Sequence, residues 1–135
     1  MSGRVYGQSL TGLTLNLLVR DVPAASLFAR EVLGAEVVYE DPDFAVYRAC
    51  GAEWMVHADH TYEPGHPFRD DADTARRRGA GAELRLHGRD PDAAERAAEQ
   101  LGFTVLARAT SKPHGLREAY IVDADGYVWV PGTKA

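Results

Sequence analysis

A strand pattern followed at once by a helix pattern is written twice in this chain, and that duplication most constrains what it can fold into. In Glu83-Leu84-Arg85-Leu86-His87-Gly88-Arg89-Asp90 the alternation puts Leu84 and Leu86 on one strand face and Glu83, Arg85 and His87 on the other. Asp90 can then accept from free backbone amides as an N-cap and Pro91 suits a first turn. Ala94, Ala97, Ala98 and Leu101 recur at helical spacing until Gly102. The earlier copy reads Thr14-Leu15-Asn16-Leu17-Leu18-Val19-Arg20-Asp21, with Ala25, Phe28, Ala29, Val32 and Leu33 at helical spacing before Gly34. Asp21 and Asp90 lie 69 positions apart, so Leu15 falls on Leu84, Leu17 on Leu86, Thr14 on Glu83 and Asn16 on Arg85. The chain reads as a duplicated module.

Each copy continues in the same order. In the first, a strand over 10–20 and a helix over 23–33 precede strands over 35–39, 44–49 and 53–58, with Asp41-Pro42-Asp43 as a turn and Gly51 as a break. In the second, a strand over 82–88 and a helix over 91–101 precede strands over 103–108, 116–122 and 127–130. Asp123-Ala124-Asp125-Gly126 forms the last tight turn. Residues 1–9 show no pattern and read as a loosely held arm. Residues 60–81, with Pro64, Gly65 and Pro67, read as a linker carrying one short exposed helix and little to bury. The expectation is therefore an α+β domain over 1–135, with module 1 at about 10–59 and module 2 at about 82–131.

At 135 residues and 45% hydrophobic content the chain suits one core that needs no staples. A net charge of −5 argues against a general nucleic-acid partner, which would need a basic face. Arg76-Arg77-Arg78 reads as a solvated helix end before Gly79. No apolar run approaches the ~20 residues that cross a bilayer, and the N-terminus shows no basic segment leading into an apolar one, so no membrane partner and a cytoplasmic location are expected. Cys50 is the single cysteine, which excludes an intramolecular disulfide and reads as a small, at least half-buried residue ending a strand.

Leu15-x-Leu17-x-Val19-x-Asp21, Ala25-Ser26-x-Phe28, Leu33-Gly34, and Pro113-His114-Gly115-Leu116-Arg117-Glu118 running into Asp123-Ala124-Asp125-Gly126 resemble the vicinal oxygen chelate superfamily. That superfamily includes glyoxalase I, bleomycin-resistance proteins, fosfomycin-resistance transferases and extradiol dioxygenases. The resemblance spans about 10–130. It implies paired βαβββ modules that form an eight-stranded, incompletely closed cupped sheet with helices outside, commonly in a homodimer. Metal enzymes of the superfamily place ligands at strand positions that match Thr14, Glu83 and Val130 here, with Met55 or His57 in the first module's last strand. Only Glu83 among the firm matches is a strong ligand, because valine and methionine cannot replace a hard donor. The expectation is a member without a cofactor and without a native metal; His60 and His66 match no metal spacing and read as surface residues.

Alternation places Thr14, Asn16, Met55, His57, Glu83, Arg85, His87, Val128 and Val130 on the faces expected to line a shared cleft. Such a wall suits an organic ligand, with area for affinity and a few polar groups for orientation. Glu83 and Arg85 read either as an ion pair or as groups that orient a ligand. In a catalytic version, burial raises the pKa of Glu83 and makes it a general base; tight pairing with Arg85 weakens that role. His114 and Tyr120 are candidate ligand contacts, the loop Lys112-Pro113-His114-Gly115 a candidate cleft mouth, and Phe44 and Tyr47 candidate rim aromatics. Trp54 and Trp129, at matching places, read as core under the helices. Two functions stay open: metal-independent binding of a small organic molecule, or a glyoxalase-like lyase, isomerase or dioxygenase-type enzyme using Glu83 as acid, base or metal ligand.

Overall fold

The computed structural model describes residues 3–135. Its first module consists of β1 (Asn16–Val19), α2 (Val22–Glu31), β2 (Glu36–Glu40), β3 (Phe44–Ala49) and β4 (Ala52–Ala58), after a short N-terminal helix α1 (Gly3–Ser9). A 3-10 turn (Asp59–Thr61) and α3 (Pro67–Thr74) carry the chain to the second module: β5 (Glu83–His87), α4 (Pro91–Leu101), β6 (Thr104–Ser111), β7 (Leu116–Val122) and β8 (Val128–Lys134).

The eight strands form two four-stranded sheets of the same topology, β1-β4-β3-β2 and β5-β8-β7-β6, each with one parallel pair at its edge. The register carries the repeat through to the last strands. Leu17 stands beside Val56 and Leu86 beside Pro131, so Met55 corresponds to Val130 and Trp54 to Trp129. Both module helices start as their sequences direct, Asp21 Oδ2 accepting from Ala24 N and Asp90 Oδ1 from Asp92 N. Gly102 ends α4 in the left-handed region at φ 80°.

The modules meet through their helix-covered faces. Leu17, Val19, Tyr47, Trp54 and Val56 of the first sheet share one buried cluster with Leu86, Ile121 and Trp129 of the second. The two indoles lie 5.2 Å apart, and Phe28 of α2 packs edge-on against Phe103 at 4.9 Å. Ser26 and Tyr47 share a buried hydrogen bond of 2.8 Å between their hydroxyls, which places Tyr47 in this core and not at a cavity rim.

Four further local expectations are corrected. Residues 3–9 are helical, and Tyr6 packs on Phe44 at 5.7 Å, so this arm is held against the first sheet. The first strand begins at Asn16; Leu13 is fully exposed and the preceding residues are loop. Cys50 is exposed and takes a φ of 52° in the β3–β4 turn beside Gly51 at φ 79°. The linker buries Arg78, which is 3% exposed, because α3 ends at Thr74 and the arginine lies beyond it. Arg78 makes a two-pronged pair with Asp59 at 2.8 Å on each arm and donates to the Leu18 carbonyl at 3.2 Å. Tyr127 Oη donates to the same carbonyl at 2.8 Å, and Asp125 accepts from the Arg20 amide at 2.9 Å. Gly79, at φ 71°, lets the chain pass the Tyr127 ring, which a Cβ would meet at 2.6 Å.

Candidate functional site

With the helix-covered faces committed to the core, the opposite faces are left for function. On the first sheet that face carries Asn16, Leu18, Phe44, Val46, Met55 and His57, brought together by the pairing of Asn16 with Met55, Leu18 with His57 and Phe44 with His57. On the second it carries Glu83, Arg85, Tyr120, Glu118 and Val130, with Val130 beside Arg85.

The second-sheet cluster is a charged ladder. Arg85 Nη1 donates to Glu83 Oε2 at 2.9 Å, Arg85 Nη2 donates to Glu118 Oε2, and Tyr120 Oη donates to Glu83 Oε1 at 3.0 Å. Glu118 is 4% exposed, whereas Glu83 and Arg85 remain open to solvent. His114 Nε2 stands 3.6 Å from Glu118 Oε2 on an exposed ring, which puts the 112–115 loop beside the cluster. The Arg85 guanidinium, with the Tyr120 hydroxyl, holds the Glu83 carboxyl below its usual range. The condition under which Glu83 loses its strength as a base is therefore met. Glu118 went unassigned in the sequence, although it lies two residues from Tyr120 on the same strand face.

The first-sheet cluster is an aromatic recess with one polar relay. Asn16 Nδ2 donates to Tyr62 Oη at 3.1 Å and Asn16 Oδ1 lies 2.6 Å from His57 Nδ1. With the Asn16 amide placed this way its oxygen can only accept, so the neutral imidazole carries its proton on Nδ1 and keeps a lone pair on Nε2. Burial pulls the His57 pKa below the ordinary imidazole value, against a smaller opposing effect of Asp41. Phe44 packs on the imidazole at 4.8 Å. Tyr62, from the linker, carried no sequence signal for this role because the relay exists only once the linker folds back onto β1.

The expected single cleft is instead a row of three adjoining cavities along the N-terminal arm. One of about 400 Å³ lies between α1 and Phe44, Met55 and His57. The next, of about 260 Å³, is lined by Thr14, Thr11, Leu10, Glu53 and Met55. The third, of about 290 Å³, runs along the seam between the modules and is lined by Leu13, Leu15 and Glu53 on one side and Glu83, Leu84 and Arg85 on the other. Shared lining residues, Tyr6, Leu10 and Met55 and then Leu13, Leu15 and Glu53, connect each cavity to the next. Thr14 lies on loop backbone and lines the middle cavity, while Glu83 lines the third. The two clusters have no hydrogen bond, ion pair or ring contact between them among the described residues.

A divalent ion fits this donor set poorly. Val130 offers no donor, Met55 only a soft thioether, and both Glu83 oxygens already accept hydrogen bonds. No group of three or more histidine, cysteine, aspartate or glutamate side chains able to hold an ion occurs among the described residues. His60 pairs with Asp43 at 2.6 Å and His66 Nδ1 accepts from Phe68 N at the start of α3, so both have structural partners. No helix among the described residues is long and apolar enough to cross a membrane.

Paired βαβββ modules in an open sheet arrangement give this chain the fold of solved glyoxalase/bleomycin resistance/dioxygenase proteins. The solved structures that share it include a glyoxalase-related enzyme from Fulvimarina pelagi, at TM-score 0.69 and 21% identity over 93% of this chain and 89% of that one. A glyoxalase/bleomycin resistance protein/dioxygenase family enzyme from Burkholderia phytofirmans PsJN matches at TM-score 0.69 and 18% identity, over 90% of this chain and 97% of its own. Fosfomycin Resistance Protein FosX from Mesorhizobium Loti matches at 0.63 and 17%, over 93% and 94%. No protein-family model matches the chain, and no curated protein matches its sequence.

Proposed function

We propose that this protein binds a small organic molecule, aromatic or antibiotic-like, without a metal ion and without making or breaking a bond. The observation that carries the reading is the Glu83–Arg85–Glu118–Tyr120 ladder, in which charges and donors are fixed on an open face beside the seam groove. A preset guanidinium lining the same cavity as apolar Leu13 and Leu15 suits orientation of a bound molecule. A carboxylate held in its ionised form by two donors is a poor proton acceptor, which sets the catalytic role of Glu83 second. That second reading, a glyoxalase-like lyase, isomerase or dioxygenase-type enzyme, draws support from the free Nε2 of His57 and the anionic Glu83, both donor types that metals accept. Solved structures of this fold are named both as enzymes and as resistance proteins, so the fold is compatible with either reading. The working unit is taken to be a homodimer, as the resemblance implies.

A thermal-shift panel of aromatic compounds and antibiotics tests the reading. At least one compound raises the melting temperature of the wild type by several degrees, and Arg85→Met removes that rise, read against the variant's own lower unliganded melting temperature, since the substitution leaves the buried Glu118 carboxylate without its arginine. Metal analysis of protein purified without a histidine tag separates the alternatives: near-stoichiometric zinc, nickel, iron or manganese overturns metal-independent binding. Light scattering of the same sample reads the oligomeric state.

A further inference from the structure

The recess beneath α1 has a composition unlike the rest of the groove. Its walls are Tyr6 and Leu10 from the arm and Phe44 and Met55 from the sheet, and His57 is its polar residue apart from the Tyr6 hydroxyl. Phe44 lies between the rings of Tyr6, at 5.7 Å, and His57, at 4.8 Å, so the lining offers flat aromatic surface on adjacent sides. Met55 adds a polarisable thioether, which packs well against ring edges. Across the recess α1 presents Gly3 and Gly7, one helical turn apart, and a Cβ at either would meet nothing within 4 Å. The helix therefore leaves room where side chains would otherwise fill it.

His57 supplies a directional contact of defined sense. The Tyr62–Asn16 relay takes the Nδ1 proton, which leaves Nε2 as an acceptor with no hydrogen bond among the described residues and with its surface still reachable. A carbonyl, ether or carboxylate placed there would leave that lone pair facing another. A hydroxyl or ring N–H would satisfy it.

We infer that the α1 recess is a binding site for a planar aromatic molecule bearing one O–H or N–H donor, with Phe44, Tyr6 and Met55 packing its ring and His57 Nε2 accepting its proton. This rests on the reading of the fold as a small-molecule binder, and it names the ligand class and the half of the groove. The recess volume of about 400 Å³ accommodates a two-ring compound.

The probes are α-naphthol and its methyl ether, which differ in the one donor. Titrated into the wild-type protein, α-naphthol binds at least tenfold more tightly than the ether. In His57→Phe the two bind alike, near the affinity of the ether for the wild type. In Gly7→Leu, whose Cβ meets nothing within 4 Å and whose longer side chain takes up recess volume, both weaken by tenfold or more. Equal affinity of the probes for the wild type, or retention of the preference in His57→Phe, or unchanged binding in Gly7→Leu, overturns the inference. A nitrogen chemical shift needs no variant: the Nε2 resonance of His57 moves on addition of α-naphthol and stays in place with the ether, and an unmoved resonance overturns the site. If that resonance is unmoved while a panel compound still gives an Arg85-dependent thermal shift, this inference falls and small-molecule binding stands. If no compound shifts the protein at all, both fall.

Discussion

Arg78 shows how much a single side chain in a connecting segment can hold. Its guanidinium joins Asp59 after β4, lies 3.8 Å from Asp125 in the second module, and donates to the main chain of β1. Removing one partner of a buried charge pair leaves the others desolvated and unmatched, so Arg78→Met is expected to cost about 3–5 kcal/mol in urea unfolding. Arg78→Lys recovers only part of this, since an ammonium cannot hold both Asp59 oxygens at once. Asp123 carries the residue-level pH dependence. It accepts from the amides of Asp125, Gly126 and Tyr127 and from the Trp129 indole, yet burial pushes its pKa up from 3.8 to about 6. A carboxyl that holds its proton more tightly when folded stabilises the native state at low pH, and that contribution fades as pH rises from about 4 to about 6. Urea midpoints measured across pH 4 to 7 should therefore fall more steeply with rising pH, or rise less, in the wild type than in Asp123→Asn, with no difference in slope above about pH 7.

At the scale of elements, strands and helices with strong alternation or caps were legible, while those shaped by distant partners were not. Asp90, Pro91 and Gly102 mark α4 at Pro91–Leu101, and β3 and β7 occupy the residues read as strands beside the Asp41-Pro42-Asp43 and Asp123-Ala124-Asp125-Gly126 turns. Short α1, with Gly3 and Gly7 in seven residues, has little helical propensity and is held by Tyr6 against Phe44, a contact no local pattern announces. The β3–β4 hairpin places Cys50 and Gly51 both at positive φ, the backbone of a mirror-type two-residue turn. Cysteine pays a steric penalty there that asparagine largely avoids. Cys50→Asn should raise stability by roughly 0.5–1 kcal/mol in thermal unfolding, with no change in binding.

Over the whole molecule, the duplicated order of elements was readable because it is local information written twice. The way the halves meet was not, because it depends on Trp54 meeting Trp129 and Phe28 meeting Phe103 across modules. The candidate site shows the same division. Alternation assigned Glu83, Arg85, Asn16 and His57 to their strand faces, but the arm that roofs the recess at His57, apart from the cavity lined by Glu83 and Arg85, has no pattern to read. The carbonyl of Leu18, which receives both Arg78 and Tyr127, adds one more property. Because this anchor is a main-chain oxygen, replacing side chains along β1 does not remove it. The strand bearing Asn16 can thus change its chemistry over generations while the union of the two halves is inherited intact.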